Sequence, residues 1–330
     1  MSKLIDSYNR SIDYLRLSVT DRCNLRCVYC MPAEGIPLMD FHDILRYEEL
    51  LRIATIAARH GITKLRITGG EPLVRKGIAE FIKELARLPG VEDLSLTTNG
   101  VLLKEFASSL KKAGLTRVNV SLDSLRPERF NKITRGDFLN NVLEGLEEAE
   151  MAGLNPVKIN CVVIKEFNDD EILDFAELTK KKPYHIRFIE YMPFEAGAAW
   201  DRDKCISSSQ IMEKINSLQN LVPLVNLEKR TGPARRYKFH DAIGEIGFIS
   251  PVSDHFCGSC NRLRLTADGK LRTCLFSDDE IDIKNVMRGG CTDRELEDLL
   301  FNAVRKKPER HHISDNIFKK CSRTMSFIGG

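Results

Sequence analysis

Short apolar strands alternate with amphipathic helices from residue 13 to about residue 192, and this alternation constrains the fold more than any other feature. The predicted strands are Tyr14–Val19, Lys64–Thr68, Asp93–Thr98, Arg117–Leu122, Val157–Ile164 and His185–Tyr191. Apolar residues at i, i+3 and i+4 predict helices at Tyr47–His60, Ile78–Leu88, Lys104–Ala113, Phe138–Ala152 and Asp170–Lys180. Such alternation forms right-handed parallel βαβ units. It predicts an α/β fold, either an incomplete (βα)6 TIM-like barrel, which we favour, or a flat doubly wound sheet.

The predicted strands carry polar and apolar side chains in alternate positions. Arg16 and Ser18 of the first strand are polar, whereas Leu15 and Leu17 are apolar. Successive side chains of a strand point to opposite faces of the sheet, so the apolar face should pack on helices. A packed barrel would fill its interior with Val, Ile and Leu. The polar face therefore predicts a polar cavity and favours the barrel.

After about residue 220 the alternation ends, and short strands in hairpins are predicted. These strands, and the helix after them, are predicted at Leu221–Leu227, Arg236–His240, Gly244–Ile249, Arg262–Thr266, Leu271–Cys274 and Asp293–Lys306. We therefore divide the chain into a partial barrel, residues 1–220, and a C-terminal, largely antiparallel β extension with the second cysteine set, residues 221–330. The basic run Arg305–His312 is interpreted as a solvated face.

Charge and hydropathy exclude two classes of partner. A formal net charge of +3 over 330 residues is too small to indicate nucleic acid or an anionic membrane. No signal peptide is predicted, and no apolar run approaches the ~18 residues that span a bilayer. We expect a cytoplasmic protein. In a reducing compartment its ten cysteines are more often metal ligands or free thiols than disulfides.

Three of these cysteines, Cys23, Cys27 and Cys30, lie in the loop after the first predicted strand. Structural zinc sites use four protein ligands. Three thiolates leave one iron of a four-iron cubane without a protein ligand, and that iron can bind a substrate group. In barrels of this type, function resides in loops at the carboxyl ends of the strands. The cysteine loop and the motif Thr68–Pro72 both follow predicted strands.

The cysteine spacing resembles that of the radical S-adenosyl-L-methionine (SAM) family. The resemblance implies a [4Fe–4S] cluster on the three thiolates, with SAM on the open iron and Tyr29 beside its adenine. Thr68–Pro72 resembles the family's motif for the SAM amino group, in which the two glycines allow close approach of the ligand. The resemblance assigns SAM contacts to Tyr29, Gly69, Gly70, Glu71, Ser121 and Met192.

A second three-thiolate set consists of Cys257, Cys260 and Cys274. Their spacing alone leaves open a zinc site with His255 as the fourth ligand. Together with the first set, a second iron–sulfur cluster is favoured.

Both sets, the segment Cys257–Arg264 and the terminal Gly329-Gly330 together resemble the GTP 3′,8-cyclase family of molybdenum cofactor biosynthesis over essentially the whole chain. The resemblance implies two [4Fe–4S] clusters, of which the second binds the guanine of GTP. A 5′-deoxyadenosyl radical would remove the C3′ hydrogen of GTP, and C3′ would then attack C8. Substrate contacts are assigned to Arg16, Arg66, Thr97, Lys158, Arg187, Arg262, Leu263 and Arg264. Catalytic roles are assigned to Arg16, Arg262, Arg264, Gly329 and Gly330, with the tail reaching into the active site.

Physical chemistry supports these basic positions. Arginine binds phosphate bidentately, and a buried arginine without an acidic partner is costly, so an anionic ligand is the economical explanation. The sequence contains no Gly-x4-Gly-Lys-Ser/Thr segment, so a nucleotide would not be held by a P-loop.

The resemblance also implies partners. These are an electron donor such as flavodoxin or ferredoxin, and cyclic pyranopterin monophosphate synthase as acceptor of the product; a homodimer is compatible with it. One alternative is a radical SAM peptide maturase, although such enzymes typically carry more C-terminal cysteines and lack a Gly-Gly terminus. Another is a zinc-binding, non-enzymatic module on nucleic acid, which the charge balance and the polar strand face disfavour.

Overall fold

The computed structural model describes residues 2–193, 201–224, 232–311, 313 and 321–329. The strands of this part of the chain are β1 Tyr14–Ser18, β2 Lys64–Thr68, β3 Asp93–Thr98, β4 Arg117–Ser121, β5 Lys158–Val163, β6 His185–Glu190, β7 Val222–Pro223, β8 Arg235–Lys238, β9 Glu245–Ile249, β10 Arg262–Leu265, β11 Lys270–Arg272 and β12 Ile281–Asp282. Its α-helices are α1 Tyr47–Arg59, α2 Ile78–Ala86, α3 Leu103–Lys112, α4 Pro127–Thr134, α5 Leu139–Met151, α6 Ile172–Lys181, α7 Ser208–Asn216, α8 Ile283–Arg288, α9 Asp293–Arg305 and α10 Met325–Ile328.

The first six strands form a parallel sheet in which each strand lies beside its neighbours in sequence. A doubly wound sheet reverses its strand order at a switch point, and this sheet does not. The sheet is open, with β12 and β7 at its two edges. The predicted incomplete barrel is therefore confirmed, and the flat doubly wound alternative is wrong.

The C-terminal strands extend this sheet at both edges. β10 pairs with β1 in parallel and continues into antiparallel β11 and β12. At the other edge, β9 pairs with β6 in parallel and continues into antiparallel β8 and β7. The hairpins are as predicted, but their parallel junctions with the barrel are not. The division near residue 220 stays a prediction.

Four helices, α4, α7, α8 and α10, are absent from our predictions, although α4 and α7 each have a local signal. Pro127 occupies the first turn of α4, where its fixed φ favours a helix start. Ser207 and Gln210 form a capping box at α7. Of the predicted strand Leu221–Leu227, residues 222–223 form β7, and residues 225–227 lie outside the described part of the chain.

The apolar strand face forms the main core against the helices. Leu15, Leu17, Leu65 and Ile67 have no exposed surface, and burying each such side chain contributes about 1.5–3 kcal/mol. The opposite face of the same strands is left for the functional site. In the described residues, no helix is both long and apolar enough to cross a membrane.

Candidate active site

The polar face of the barrel strands borders a cavity of about 820 Å³. Sites for small molecules typically measure about 300–1,000 Å³, so this cavity is at the large end. Its lining includes these predicted site residues: Arg16, Cys23, Cys27, Tyr29, Cys30, Arg66, Gly69, Gly70, Thr97, Ser121, Lys158, Arg187, Met192, Cys257, Cys260, Arg262, Arg264 and Cys274. A cavity is thus present on the polar face of the strands, and it brings both cysteine sets together with the predicted basic residues.

The two cysteine sets lie at opposite ends of the barrel strands. Cys23, Cys27 and Cys30 follow the carboxyl end of β1. Cys260 precedes Arg262, which pairs with Tyr14 at the amino end of β1. Cys274 follows β11, which runs antiparallel to β10 and so returns to that same end. Because β1 has five residues, the two ends are separated by about 13 Å along the strand.

The first cysteine set has the chemistry of a cluster site. The Cys23 sulfur accepts from the backbone nitrogen of Leu25 at 3.4 Å and from Asn99 Nδ2 at 3.7 Å. Burial raises the pKa of Cys23 to about 11, and burial together with Cys23 raises that of Cys30 to about 12. Without a metal these thiols are protonated at neutral pH, and iron would deprotonate them on binding.

Buried polar atoms without hydrogen-bond partners indicate where a ligand would lie. Thr97 Oγ1 and Asn160 Oδ1 both belong to cavity-lining residues, and neither has a partner in the described structure. Such atoms are rare in native proteins. The cavity therefore fits a polar ligand.

Gly69 and Gly70 line the cavity, but the structure gives a further reason for them. A Cβ on Gly69 would lie 2.7 Å from the Thr20 carbonyl oxygen, and one on Gly70 would overlap the Arg22 carbonyl. The backbone nitrogens of Gly70 and Glu71 donate to these two carbonyls, both at 2.8 Å. The glycines thus let the Thr68–Pro72 turn pack against the cysteine loop, beyond the ligand approach that the sequence suggests.

Glu71 does not line the cavity. Its buried carboxylate accepts from the backbone nitrogens of Leu73 at 3.0 Å and Asn99 at 2.6 Å, and from the Thr98 hydroxyl at 2.8 Å. Burial raises its pKa to about 7. Glu71 therefore fixes the loop after β3, and its predicted contact with the SAM amino group stays a prediction.

Asp123 is a cavity residue that our site prediction omits. Its carboxylate accepts from the Tyr29 hydroxyl and, at 2.8 Å, from the backbone nitrogen of Val162. Burial raises the pKa of Asp123 to about 6. Asp123 thereby fixes the Tyr29 ring within the cysteine loop. Its position just beyond β4 is the signal that sequence reasoning had available.

The predicted substrate-binding cations are those that lack an acidic partner. In the described structure no ion pair joins a carboxylate to Arg16, Arg66, Lys158, Arg187, Arg262 or Arg264. By contrast, Arg117 and Arg236 line the same cavity but pair with Asp93 and Glu245. The six predicted residues are therefore the basic side chains that an anionic ligand could neutralise.

Three of these arginines form a row across adjacent strands. Arg16 of β1 lies beside Arg264 of β10 on one side and Arg66 of β2 on the other. Neighbouring strands are about 4.8 Å apart, so the three guanidinium groups repel one another. Burial and then the repulsion of Arg264 hold the pKa of Arg16 well below its usual value. An anion in the cavity would relieve this repulsion.

Lys158 shows the same effect. Burial, followed by the charges of Arg187, Arg117 and Arg66, lowers its pKa to about 6. Burial and Arg66 likewise lower the pKa of Arg187 to about 9. A lysine of this kind is largely neutral at pH 7 until an anion binds beside it.

The second cysteine set differs electrostatically from the first. Although burial alone would raise the pKa of Cys260, the cations Arg262 and Lys307 lower it to about 7. Within the described ranges, no three His, Cys, Asp or Glu side chains are arranged to hold one metal ion. A cubane takes each thiolate on a separate iron and does not need that convergence.

The C-terminal tail reaches the barrel interior. Gly329 is buried with a φ of +85°, and a Cβ there would lie 2.7 Å from Ser18 Cβ and 2.8 Å from Thr68 Oγ1. Its carbonyl oxygen accepts from Arg264 Nη1 at 3.3 Å. Gly330 lies outside the described residues. Gly329 thus lies against the side chains of Ser18 in β1 and Thr68 in β2, beside the arginine row.

Leu263 differs from the other predicted substrate contacts, and its contact stays a prediction. Its side chain is fully buried in the core and does not line the cavity, because it points to the opposite face from Arg262 and Arg264. A contact of Leu263 with the substrate would therefore have to come from its main-chain atoms.

Comparison with known proteins agrees with this site. The family model described as Radical SAM superfamily matches residues 17–179, and the model Molybdenum Cofactor Synthesis C matches residues 184–313. The GTP 3′,8-cyclase of Thermodesulfovibrio yellowstonii is 53% identical and that of Moorella thermoacetica 50%, each alignment covering 98% of this chain and 99% of the relative. Among solved structures, Streptococcus suis SuiB bound to S-adenosylmethionine has a TM-score of 0.61 at 14% identity, over 91% of this chain and 69% of that one. At that identity it supports the fold alone.

A parallel partial barrel with a three-cysteine loop after its first strand defines the radical SAM class of enzymes. Within that class, the chain belongs to the GTP 3′,8-cyclase family. Membership in the class implies one [4Fe–4S] cluster and SAM as cofactors.

Proposed function

We propose that this chain converts GTP to (8S)-3′,8-cyclo-7,8-dihydroguanosine 5′-triphosphate, the first step of molybdenum cofactor biosynthesis. One observation carries the proposal: six basic side chains that have no carboxylate partner in the described structure share a cavity with two three-cysteine sets. A triphosphate would supply the anionic partner that these side chains lack. Membership in the GTP 3′,8-cyclase family supports the same substrate.

The residues divide into two cofactor sites. Cys23, Cys27 and Cys30 would hold the SAM-binding cluster, with Tyr29 fixed by Asp123 beside it. A second [4Fe–4S] cluster would be held by Cys257, Cys260 and Cys274. When bound, the clusters and SAM supply the one-electron chemistry of the reaction. SAM contacts would come from Gly69, Gly70, Ser121 and Met192, which line the cavity.

Between the two sites the protein binds and orients GTP. Arg16, Arg66 and Arg264 form the row that would face the anion. Lys158 of β5 and Arg187 of β6 add basic side chains from two further strands, and Arg262 and Thr97 complete the contacts. The Gly329 carbonyl holds Arg264, so that the tail positions this guanidinium and closes the site against water.

The proposal extends to partners. The reaction needs an electron donor of the flavodoxin or ferredoxin type, and cyclic pyranopterin monophosphate synthase would accept the product in the cytoplasm. The homodimer stays a prediction.

Anaerobically purified, reconstituted protein tests the function directly. We expect about eight irons per chain, the sum of two four-iron clusters, and no zinc. With dithionite and SAM, 5′-deoxyadenosine should form when GTP is added and not with ATP, and mass spectrometry should detect the cyclic nucleotide. About four irons with one zinc per chain would show that the second cluster is absent. Equal SAM cleavage with and without GTP would show that GTP is not the substrate.

Binding of GTP should take up a proton at Lys158. The pKa of this lysine is about 6 in the free protein because of burial and neighbouring cations, and a bound triphosphate raises it again. Above pH 6 binding must therefore protonate Lys158, and affinity should fall by up to about tenfold per pH unit between pH 7 and 8.5, where the terminal phosphate is already ionised.

Calorimetry in two buffers of different ionisation enthalpy measures this uptake. Lys158→Met should abolish it and flatten the pH dependence. Lys64→Met is the matched control, because Lys64 lines the same cavity but lies 3.8 Å from Asp13. Equal proton uptake in wild type and Lys158→Met would contradict the prediction.

A further inference from the structure

Lys307, two residues beyond the end of α9, has a buried ammonium group beside the second cysteine set. Only 3% of the residue is exposed. The ammonium donates to the carbonyl oxygen of Arg262 at 3.1 Å and to that of Thr273. It also interacts with the Cys260 sulfur. An ammonium has three N–H donors, and the two carbonyl oxygens accept two of them.

The two carbonyl acceptors belong to two separate segments of chain. Arg262 follows Cys260 by two residues, and Thr273 immediately precedes Cys274. Lys307 therefore links the backbones that carry these two cysteines, which lie fourteen residues apart in sequence.

A second buried cation, Arg10, links the remaining cysteine, Cys257, to the segment that follows Lys307. Arg10 Nη1 donates to the Cys257 carbonyl oxygen at 2.7 Å and to that of Glu309 at 2.8 Å, while its Nη2 donates to the Pro308 carbonyl oxygen at 2.6 Å. The segment Lys307–Glu309 is therefore fixed relative to all three cysteines. However, Arg10 has a carboxylate partner, Asp6.

Lys307 has no such partner in the described structure, where no carboxylate lies within ion-pair distance of it. The negative groups beside it are the thiolates of Cys260 and Cys274. A buried cation without an anion is costly. A four-iron core of charge +2 on three thiolates carries a net charge of about −1, and this anion would compensate Lys307.

We propose that Lys307 is a positioning residue for the second cluster, which holds the Cys260 and Cys274 segments together and raises the reduction potential of that cluster. The inference rests on the proposed function, which places a [4Fe–4S] cluster on these cysteines. Net charge and hydrogen bonds to sulfur set cluster potentials. A cation at Cys260 favours the reduced cluster, which carries one more negative charge.

The test compares three variants of the full-length reconstituted enzyme. Lys307→Met removes the charge and the hydrogen bonds, whereas Lys307→Arg keeps a cation. Lys306→Met is the control, because the adjacent Lys306 is exposed. Each is also made in a Cys23→Ala, Cys27→Ala, Cys30→Ala background, in which only the second cluster binds. Iron content, iron release to a chelator and the midpoint potential by EPR-monitored titration are measured.

We expect Lys307→Met to weaken retention of the second cluster by about 10- to 100-fold, the range for outer-shell partners of metal ligands, and to shift its potential to more negative values. Lys307→Arg should restore the potential, and Lys306→Met should match wild type. Suppose that wild type binds about eight irons but Lys307→Met leaves the retention and the potential of the second cluster unchanged. This result would overturn the inference about Lys307 and leave the proposed function standing. Wild type with about four irons would reject the second cluster itself, and with it the proposed function.

Discussion

Gly329→Ala is expected to lower the rate of cyclic nucleotide formation by about 100-fold, the cost of displacing a positioned group by ~1 Å, while the iron content stays at the wild-type value. The backbone of Gly329 has a φ of +85°, which is unfavourable for any residue with a Cβ. The new Cβ would also lie 2.7 Å from Ser18 Cβ. The tail must therefore leave its place against the side chains of β1 and β2, and Arg264 loses the carbonyl that holds it.

Deletion of both Gly329 and Gly330 should abolish cyclisation altogether, again without loss of iron. Gly289→Ala is the matched control. Gly289 has a φ of −72°, and its Cβ would meet only the carbonyl oxygens of the preceding helical turn, at 3.2 and 3.3 Å. Single-turnover assays with mass spectrometry measure the product. A Gly329→Ala enzyme with wild-type turnover would show that the tail has no part in the reaction.

Those features that depend on local sequence were predictable. The period of two along a strand places Arg16, Arg66 and Lys158 on the cavity face, as observed. The three-cysteine spacing likewise indicates a loop at a strand end, because its ligands lie within eight residues of one another.

Features that depend on pairing between distant segments were not predictable. β10 lies beside β1 although some 250 residues separate Arg16 from Arg264, so the arginine row is invisible in the sequence. The same holds for Arg117, whose pairing with Asp93 removes it from the substrate-binding set. Lys307 was read as part of a solvated basic run, yet it is buried, because its neighbours in the fold come from β10 and the end of β11.

The arginine row also predicts a conflict between stability and function. Arg16 is 9% exposed, and its Nε has no partner in the described structure. Its neighbours in the row, Arg264 and Arg66, are cations as well. In the nucleotide-free protein this residue therefore adds repulsion and a desolvation cost with no compensating bond.

Arg16→Met should therefore stabilise the nucleotide-free protein and impair substrate binding. Replacing buried charge by an apolar side chain of similar size is often stabilising, and we expect about 1 kcal/mol in the free energy of unfolding. Loss of a charged hydrogen bond to phosphate costs about 1.5–3 kcal/mol. The Kd for GTP should therefore rise about 10- to 100-fold.

Arg117→Met is the control, because it changes the same residue type in the same cavity but breaks an ion pair. Arg117 Nη2 lies 2.6 Å from Asp93 Oδ2, and its removal leaves that carboxylate without its cation. This variant should lose stability, whereas Arg16→Met should gain it.

Chemical denaturation without nucleotide measures the free energy of unfolding, and calorimetric titration with GTP measures the Kd. If Arg16→Met destabilised the free protein as much as Arg117→Met, Arg16 would be a structural residue and the row would not be strained by its own charge. Opposite signs for the two variants would show that the row is assembled at a cost in stability, which binding of an anion compensates.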